Sequence, residues 1–231
     1  MSNTRISTVG HRGAAGHAPE NTLAAVESGI ALGVDYVEVD VQRTSDGALV
    51  LMHDKFVDRT TNGHGRLSAM KLDDLRKLDA GDGQKIPLLG ELLEVATGRV
   101  GLILETITPG IGSIVSSFVA DCGFQSPMIF ASFLHADIFR IRAQNEKALT
   151  MALFEGVPIV PSRFTADARA THAGIALDSA TPELVEKLQK NGVEVFAYTA
   201  DTDYQIDLAI SLGVEGIISN FPERIGKRMS L

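Results

Sequence analysis

The sequence predicts an α/β protein built as a closed (β/α)8 barrel, a single domain over residues 1–231 with a small insertion after its second strand. Three observations carry this. Short β-branched runs alternate with longer stretches of helical period, the sign of βα units around a parallel sheet. The runs are nearly continuous in Val, Ile, Leu, Ala and Met, as strands covered on both faces require. Eight units in 231 residues average about 29 each, close to what a barrel of ~250 residues supplies. An open doubly wound sheet is the second choice.

The eight strands are expected at Arg5 to Gly10, Tyr36 to Val41, Gly101 to Glu105, Pro127 to Ser132, Leu149 to Phe154, Gly174 to Leu177, Val193 to Tyr198 and Glu215 to Ser219. Helices start recognisably between them. Thr22 to Leu32 follows Pro19, Glu20 and Asn21, and Thr181-Pro182-Glu183 opens a run to Lys190 that stops at Asn191-Gly192. One segment breaks the rhythm. Ser45-Asp46-Gly47 reads as a tight turn between Tyr36 to Val41 and Ala48 to Met52, hence a hairpin. A polar, Gly-bearing stretch from Asp54 to Gly65 and a short helix near Leu72 to Leu78 follow it. Residues 54–88 are therefore expected as an insertion, since long excursions from a compact fold are usually functional.

Composition narrows the function. The chain is 45% hydrophobic and 22% charged, which excludes a disordered tail. Twenty-one Lys and Arg against 29 Asp and Glu give a net charge of −8, the wrong sign for a nucleic-acid partner. No run approaches the ~18 apolar residues of a membrane span, and the first ten residues lack the pattern of an export signal. The lone Cys122 forms no intramolecular disulfide. A cytoplasmic location is the expectation, and the sequence leaves room for a homo-oligomer.

In a barrel the reactive groups gather where strands end. Here those ends carry His11 and Arg12, then Glu38 and Asp40, His53 and Asp54, and Glu105, with Ser132, Glu155, Asp178, Thr199, Asp201 and Asn220 later. Glu38 and Asp40 lie two apart on one strand and leave the same face. With Glu105 from the neighbouring strand, three carboxylates share a small volume, which is expensive unless a cation neutralises them or one keeps a proton. An all-oxygen set favours one divalent cation among Mg²⁺, Ca²⁺ and Mn²⁺ over Zn²⁺. Two solvated strand-end acids are the plainer alternative, opposed by the apolar neighbours Val37, Val39 and Val41. His11 and His53 beside such a cluster can divide general acid and base work, and Arg12 can hold a phosphate oxygen. His17, His64, His135 and His172 fall in loop or helix contexts and are read as structural or solvent-facing.

At these residues the chain resembles the glycerophosphodiester phosphodiesterase family. The matches are His11-Arg12-Gly13, Pro19-Glu20-Asn21-Thr22, Glu38-Val39-Asp40-Val41, Thr44, Asp46-Gly47, Val50 and His53-Asp54. Leu104-Glu105, Ala131-Ser132-Phe133 and the stretch from Gly213 to Pro222 complete the set. The resemblance implies a TIM barrel that hydrolyses glycerophosphodiesters to an alcohol and sn-glycerol 3-phosphate. It also implies a metal on Glu38, Asp40 and Glu105, an acid and base pair in His11 and His53, and a phosphate held by Arg12. Two positions depart from the family. Ile107 stands where a Lys is usual, and Tyr198-Thr199 replaces a Trp-Thr pair, with Tyr198 still able to wall the substrate pocket. The competing readings are a non-catalytic phosphate- or metal-binding barrel and a phospholipase D-like enzyme on lipid phosphodiesters. A Schiff-base aldolase is disfavoured because no strand ends in Lys.

Overall fold

A computed structural model describes residues 5–229. In chain order the elements are β1 (Ser7–Gly10), α1 (Leu23–Ala31), β2 (Tyr36–Arg43), β3 (Leu49–Leu51), α2 (Leu72–Leu75), α3 (Leu89–Ala96), β4 (Gly101–Thr106), α4 (Gly112–Asp121) and β5 (Met128–Ser132). They continue as α5 (His135–Gln144), β6 (Leu149–Phe154), α6 (Arg163–Ala168), β7 (His172–Ala176), α7 (Pro182–Lys190), β8 (Glu194–Tyr198), α8 (Asp203–Leu212), β9 (Gly216–Ser219) and α9 (Glu223–Met229). Every strand except β3 is parallel to its neighbours in the order β1-β9-β8-β7-β6-β5-β4-β2, and β2 pairs back onto β1. The sheet thus closes into an eight-stranded (β/α)8 TIM barrel, and the open doubly wound alternative is excluded.

Local sequence sets the element ends. Thr22 caps α1 by accepting from the Ala25 amide, and Thr181 does the same for Leu184 with Pro182 just inside α7. At α8 the capping is reciprocal: Thr202 accepts from the Gln205 amide, and the Gln205 side chain accepts from the Thr202 amide. Apolar side chains fill the barrel from alternate strand positions, with Val9, Ile103, Ile129, Met151, Leu153, Phe196 and Ile218 in one buried cluster. Two larger clusters lie between the sheet and its helices.

The expected hairpin is β2 to β3, antiparallel with Gln42 opposite Val50. Residues 54–88 come after it with a packed apolar group of their own, in which Val57, Leu67, Leu75 and Ile86 are fully or almost fully buried. The short helix there ends at Leu75 rather than Leu78. The seventh barrel strand begins at His172, two residues before the expected Gly174, and Leu177 has already entered a 3-10 turn. His172 is therefore a strand residue rather than a loop one: its buried ring meets Thr171 Oγ1 at 2.7 Å and packs edge-on to Phe196. No helix among the described residues is long and apolar enough to cross a membrane.

The loop that leaves β1 is the tightest part of the frame. Arg12 and Gly13 both have positive φ, 50° and 98°, which folds the chain back so that the Gly13 amide reaches the Glu38 carbonyl at 3.0 Å. A β-carbon on Gly10 would then lie 1.9 Å from the Gly13 carbonyl oxygen. Gly90, in α3, has no atom nearer than 3.8 Å to such a carbon. Gly10→Ala is therefore expected to destabilise by roughly 1–3 kcal/mol, whereas Gly90→Ala stabilises by about 0.5–1 kcal/mol. Denaturant unfolding of the two variants checks the contrast, and an unperturbed Gly10→Ala protein would contradict the packing described.

Candidate active site

β2 and β4 are adjacent and in register with Asp40 opposite Glu105. Glu38 and Asp40, two residues apart on β2, point to the same side, so Glu38, Asp40 and Glu105 meet at the C-terminal mouth of the barrel. One carboxylate oxygen from each lies within 4.8 Å of the other two. Glu38 and Asp40 are 4% and 1% exposed, so water screens little of their repulsion. Burial, then the charges of Asp40 and Glu105, push the Glu38 carboxyl well above the usual range. Burial and Asp40 push Glu105 up to about 8. Glu38 is oriented by the Arg12 amide, which donates to Oε2 at 2.9 Å, while the buried Oε1 has no hydrogen-bond partner. An unpartnered buried oxygen between two further carboxylates fits a hard divalent cation.

Arg12 sits against this cluster. Its NH1 donates to Glu20 Oε1 at 2.7 Å, and its Nε, 3.4 Å from Asp40 Oδ2, is buried without a hydrogen bond. Asn21, itself at φ 56°, locks Asp40 from both directions: its Nδ2 donates to Asp40 Oδ2 at 2.7 Å, and its Oδ1 accepts from the Asp40 amide at 3.0 Å. Burial, then Arg59 and Arg12, act on Glu20 in opposite senses. The two cations win, and the carboxyl is held at about 2.

The two histidines stand in different surroundings. His11 is oriented by a relay from β9: Asp201 accepts from the Asn220 amide at 2.8 Å and from Asn220 Nδ2 at 2.7 Å. That fixes Asn220 Oδ1 as the acceptor for His11 Nδ1 at 2.9 Å. Nδ1 therefore carries the proton, and Nε2, 4.0 Å from Glu38 Oε2, keeps its lone pair. Burial, then Arg12, lower the pKa of this ring, so it is neutral near pH 7. His53 lies at the rim, with a side chain 42% exposed, and donates Nδ1–H to Asp54 Oδ1 at 2.7 Å. The Met52 amide bonds the Asp40 carbonyl, and Gln42 Nε2 donates to the carbonyls of Met52, His53 and Asp54, which holds the turn beside β2.

A cavity of about 330 Å³ opens at the acids, with His11, Glu38 and Glu105 on one side. Phe133, Met151, Leu153 and Tyr198 form its apolar wall. Tyr198 donates its hydroxyl to the Phe154 carbonyl at 3.2 Å and packs edge-on to Phe133, so the ring presents carbon rather than oxygen to the cavity. The fold thus brings His11, Arg12, Glu38, Asp40, Glu105 and Tyr198 together, while His53 is linked to them through Asp54, Arg59 and Glu20.

Sequence reasoning assigned no role to Glu20, Asn21, Asp54, Arg59, Asp201 or Asn220. For Asn21 and Asp54 a signal existed, since both sit inside the matched motifs. Arg59 and Asp201 gave none: their partners lie on other segments, and neither follows a periodic pattern.

Residues 11–224 match the glycerophosphoryl diester phosphodiesterase family. A glycerophosphodiester phosphodiesterase of Caldanaerobacter subterraneus is 33% identical over 230 residues, covering 94% of this chain and 95% of that protein. Among solved structures, a phosphodiesterase of Oleispira antarctica in complex with the product sn-glycerol-3-phosphate has a TM-score of 0.91 at 25% identity over 98% of both chains. A glycerophosphodiester phosphodiesterase of Agrobacterium tumefaciens has a TM-score of 0.81 at 28% identity, over 95% of this chain and 99% of that one.

The crowded acids set a stability signature for the metal-free protein. A carboxyl raised from 4.5 to about 8 in the fold retains a proton that the unfolded chain releases. Its contribution to stability is therefore full below pH ~4.5 and declines as pH rises toward 8. Glu105→Gln is expected to flatten that decline in urea titrations of chelated protein between pH 5 and 8.5. A wild-type curve no steeper than the variant's would overturn the crowding.

Proposed function

This chain belongs to the glycerophosphoryl diester phosphodiesterase family and is a phosphoric diester hydrolase; from that premise we propose that it cleaves glycerophosphodiesters with one divalent cation and a histidine pair. The observation that carries the proposal is Glu38 Oε1, buried and unpartnered among three converging carboxylates, with the lone pair of His11 beside it.

A phosphodiester anion repels nucleophiles, so hydrolysis needs its charge neutralised, a nucleophile activated and the departing alkoxide protonated. Glu38, Asp40 and Glu105 would hold the cation, of the Mg²⁺, Ca²⁺ or Mn²⁺ class. When bound, it supplies Lewis acidity toward the non-bridging phosphate oxygens. Arg12, whose guanidinium makes a single hydrogen bond among the described residues, is the second contact for those oxygens. His11, neutral and fixed as the Nδ1–H tautomer, accepts a proton at Nε2 from the nucleophile, either water or the neighbouring glycerol hydroxyl. His53 delivers a proton to the leaving alcohol, and the Asp54 charge compensates for that proton while it resides on the ring. Tyr198 and Phe133 wall the alcohol side. The products are an alcohol and sn-glycerol 3-phosphate. Residues 54–88 serve this scheme as an insertion that carries His53's partners, within one catalytic unit spanning the chain.

The direct test is release of glycerol 3-phosphate from glycerophosphocholine by purified protein, before and after chelation and with each metal restored. Activity is expected to vanish with EDTA and return on add-back. His11→Ala and His53→Ala should each lower kcat by ~10² to 10⁴-fold without unfolding the protein. Turnover that survives thorough chelation removes the cation from the scheme, and undiminished kcat in both variants removes the histidines.

A further inference from the structure

We propose that Arg59 is a positioning residue for this reaction: its guanidinium clamps Glu20 and Asp54 together, and through them sets Arg12 and His53 in register. The inference rests on the roles proposed above for Arg12 and His53. Arg59 lies in the loop after β3, and its side chain is 49% exposed. An ion pair at that exposure ordinarily contributes little to stability. This one, however, is bidentate on both sides. Nε and NH2 donate to Asp54 Oδ2 and Oδ1 at 2.7 and 3.0 Å, and NH1 and NH2 donate to Glu20 Oε2 and Oε1 at 2.8 and 2.7 Å.

Each clamped carboxylate has a second partner in the site. Glu20 Oε1 also accepts from Arg12 NH1, and Asp54 Oδ1 also accepts from His53 Nδ1, both at 2.7 Å. The chain Arg12–Glu20–Arg59–Asp54–His53 is therefore continuous, and Arg59 is its central link. Without Arg59, the whole charge of Glu20 faces Arg12 and competes with the phosphate for it. Asp54 loses the fork that fixes its plane, and with it the direction of the His53 ring. The loop itself does not need this link. Gln42 already holds the carbonyls of Met52, His53 and Asp54, and the buried group around Val57, Leu67 and Leu75 anchors the rest of the insertion. Lysine is not a substitute, because a single ammonium cannot satisfy two carboxylates in four planar hydrogen bonds.

The test compares wild type, Arg59→Ala and Arg59→Lys on two substrates, glycerophosphocholine and the glycerol phosphate diester of 4-nitrophenol, whose leaving group departs without a proton. Arg59→Ala is expected to lower kcat on the choline ester roughly 10- to 100-fold, the scale of a misplaced reacting group. KM should rise several-fold, kcat on the nitrophenyl ester should fall much less, and the unfolding midpoint should stay close to wild type. Arg59→Lys should not restore the choline reaction. Wild-type kcat and KM in either variant overturns the inference, as does an equal loss on both substrates or a loss that tracks unfolding. Should wild type itself cleave neither ester, the proposed function fails and the inference with it. The wild-type control separates that failure from one confined to Arg59.

Discussion

The mutual repulsion of Glu38, Asp40 and Glu105 is the constraint around which the rest of the mouth is arranged. Barrel closure creates it, because the parallel register of β2 and β4 sets Asp40 opposite Glu105 while the pleat brings Glu38 to the same side. In water, three carboxylates would move apart or remain hydrated. Here Asn21 binds Asp40 on both its side chain and its amide, and the Arg12 amide holds Glu38. Both restraints come from the segment that leaves β1, so the close turn at Gly10 to Gly13 is the part of the backbone on which the acid cluster relies. The cost of crowding is stored as raised carboxyl affinities for protons, and a group that holds a proton against its ordinary tendency will exchange it for a cation.

The environment also separates the two histidines, which the sequence presents as equivalent. His11 is buried and faces a neutral amide, so it loses affinity for protons and sits ready to accept one. His53 is half-exposed and faces a carboxylate whose own partner is an arginine. The difference arises from second neighbours: Asp201 turns Asn220 so that its oxygen meets His11, whereas Asp54 meets His53 directly. An interchange of Asn220 oxygen and nitrogen would reverse the His11 tautomer, which is why two hydrogen bonds to Asp201 matter for a residue that they do not touch.

The barrel and its acids were legible because both depend on local rules. Apolar runs, turn residues and a two-residue spacing on one strand are features of short stretches, and β2 can be read as buried from Val37, Val39 and Val41 alone. The hairpin was legible for the same reason, with Gly47 at φ 93° in the turn. His172 was misread because a strand that begins with Thr and His lacks the apolar signature, and its burial comes from Phe196 on β8. Arg59 and Asp201 were silent because their meaning lies in partners 39 and 19 residues away. Charge networks of this kind depend on the closed fold, so no window along the chain contains them.

Charge balance explains why Ile107 can occupy a position where the family resemblance leads one to expect lysine. Glu20, Glu38, Asp40, Asp54 and Glu105 face Arg12 and Arg59, leaving three more carboxylates than cations around the mouth. Glu20 and Asp54 are already matched by the arginine fork, so the excess is concentrated on the three barrel acids. A phosphodiester adds a further negative charge to that region and is repelled by it. Protons on the crowded acids relieve part of the excess but bring no new positive charge to the phosphate. A divalent cation does both at once, and without a nearby lysine to share the task, substrate affinity depends more heavily on that ion and on Arg12. On the proposed reading, the cation must therefore be in place before the diester binds.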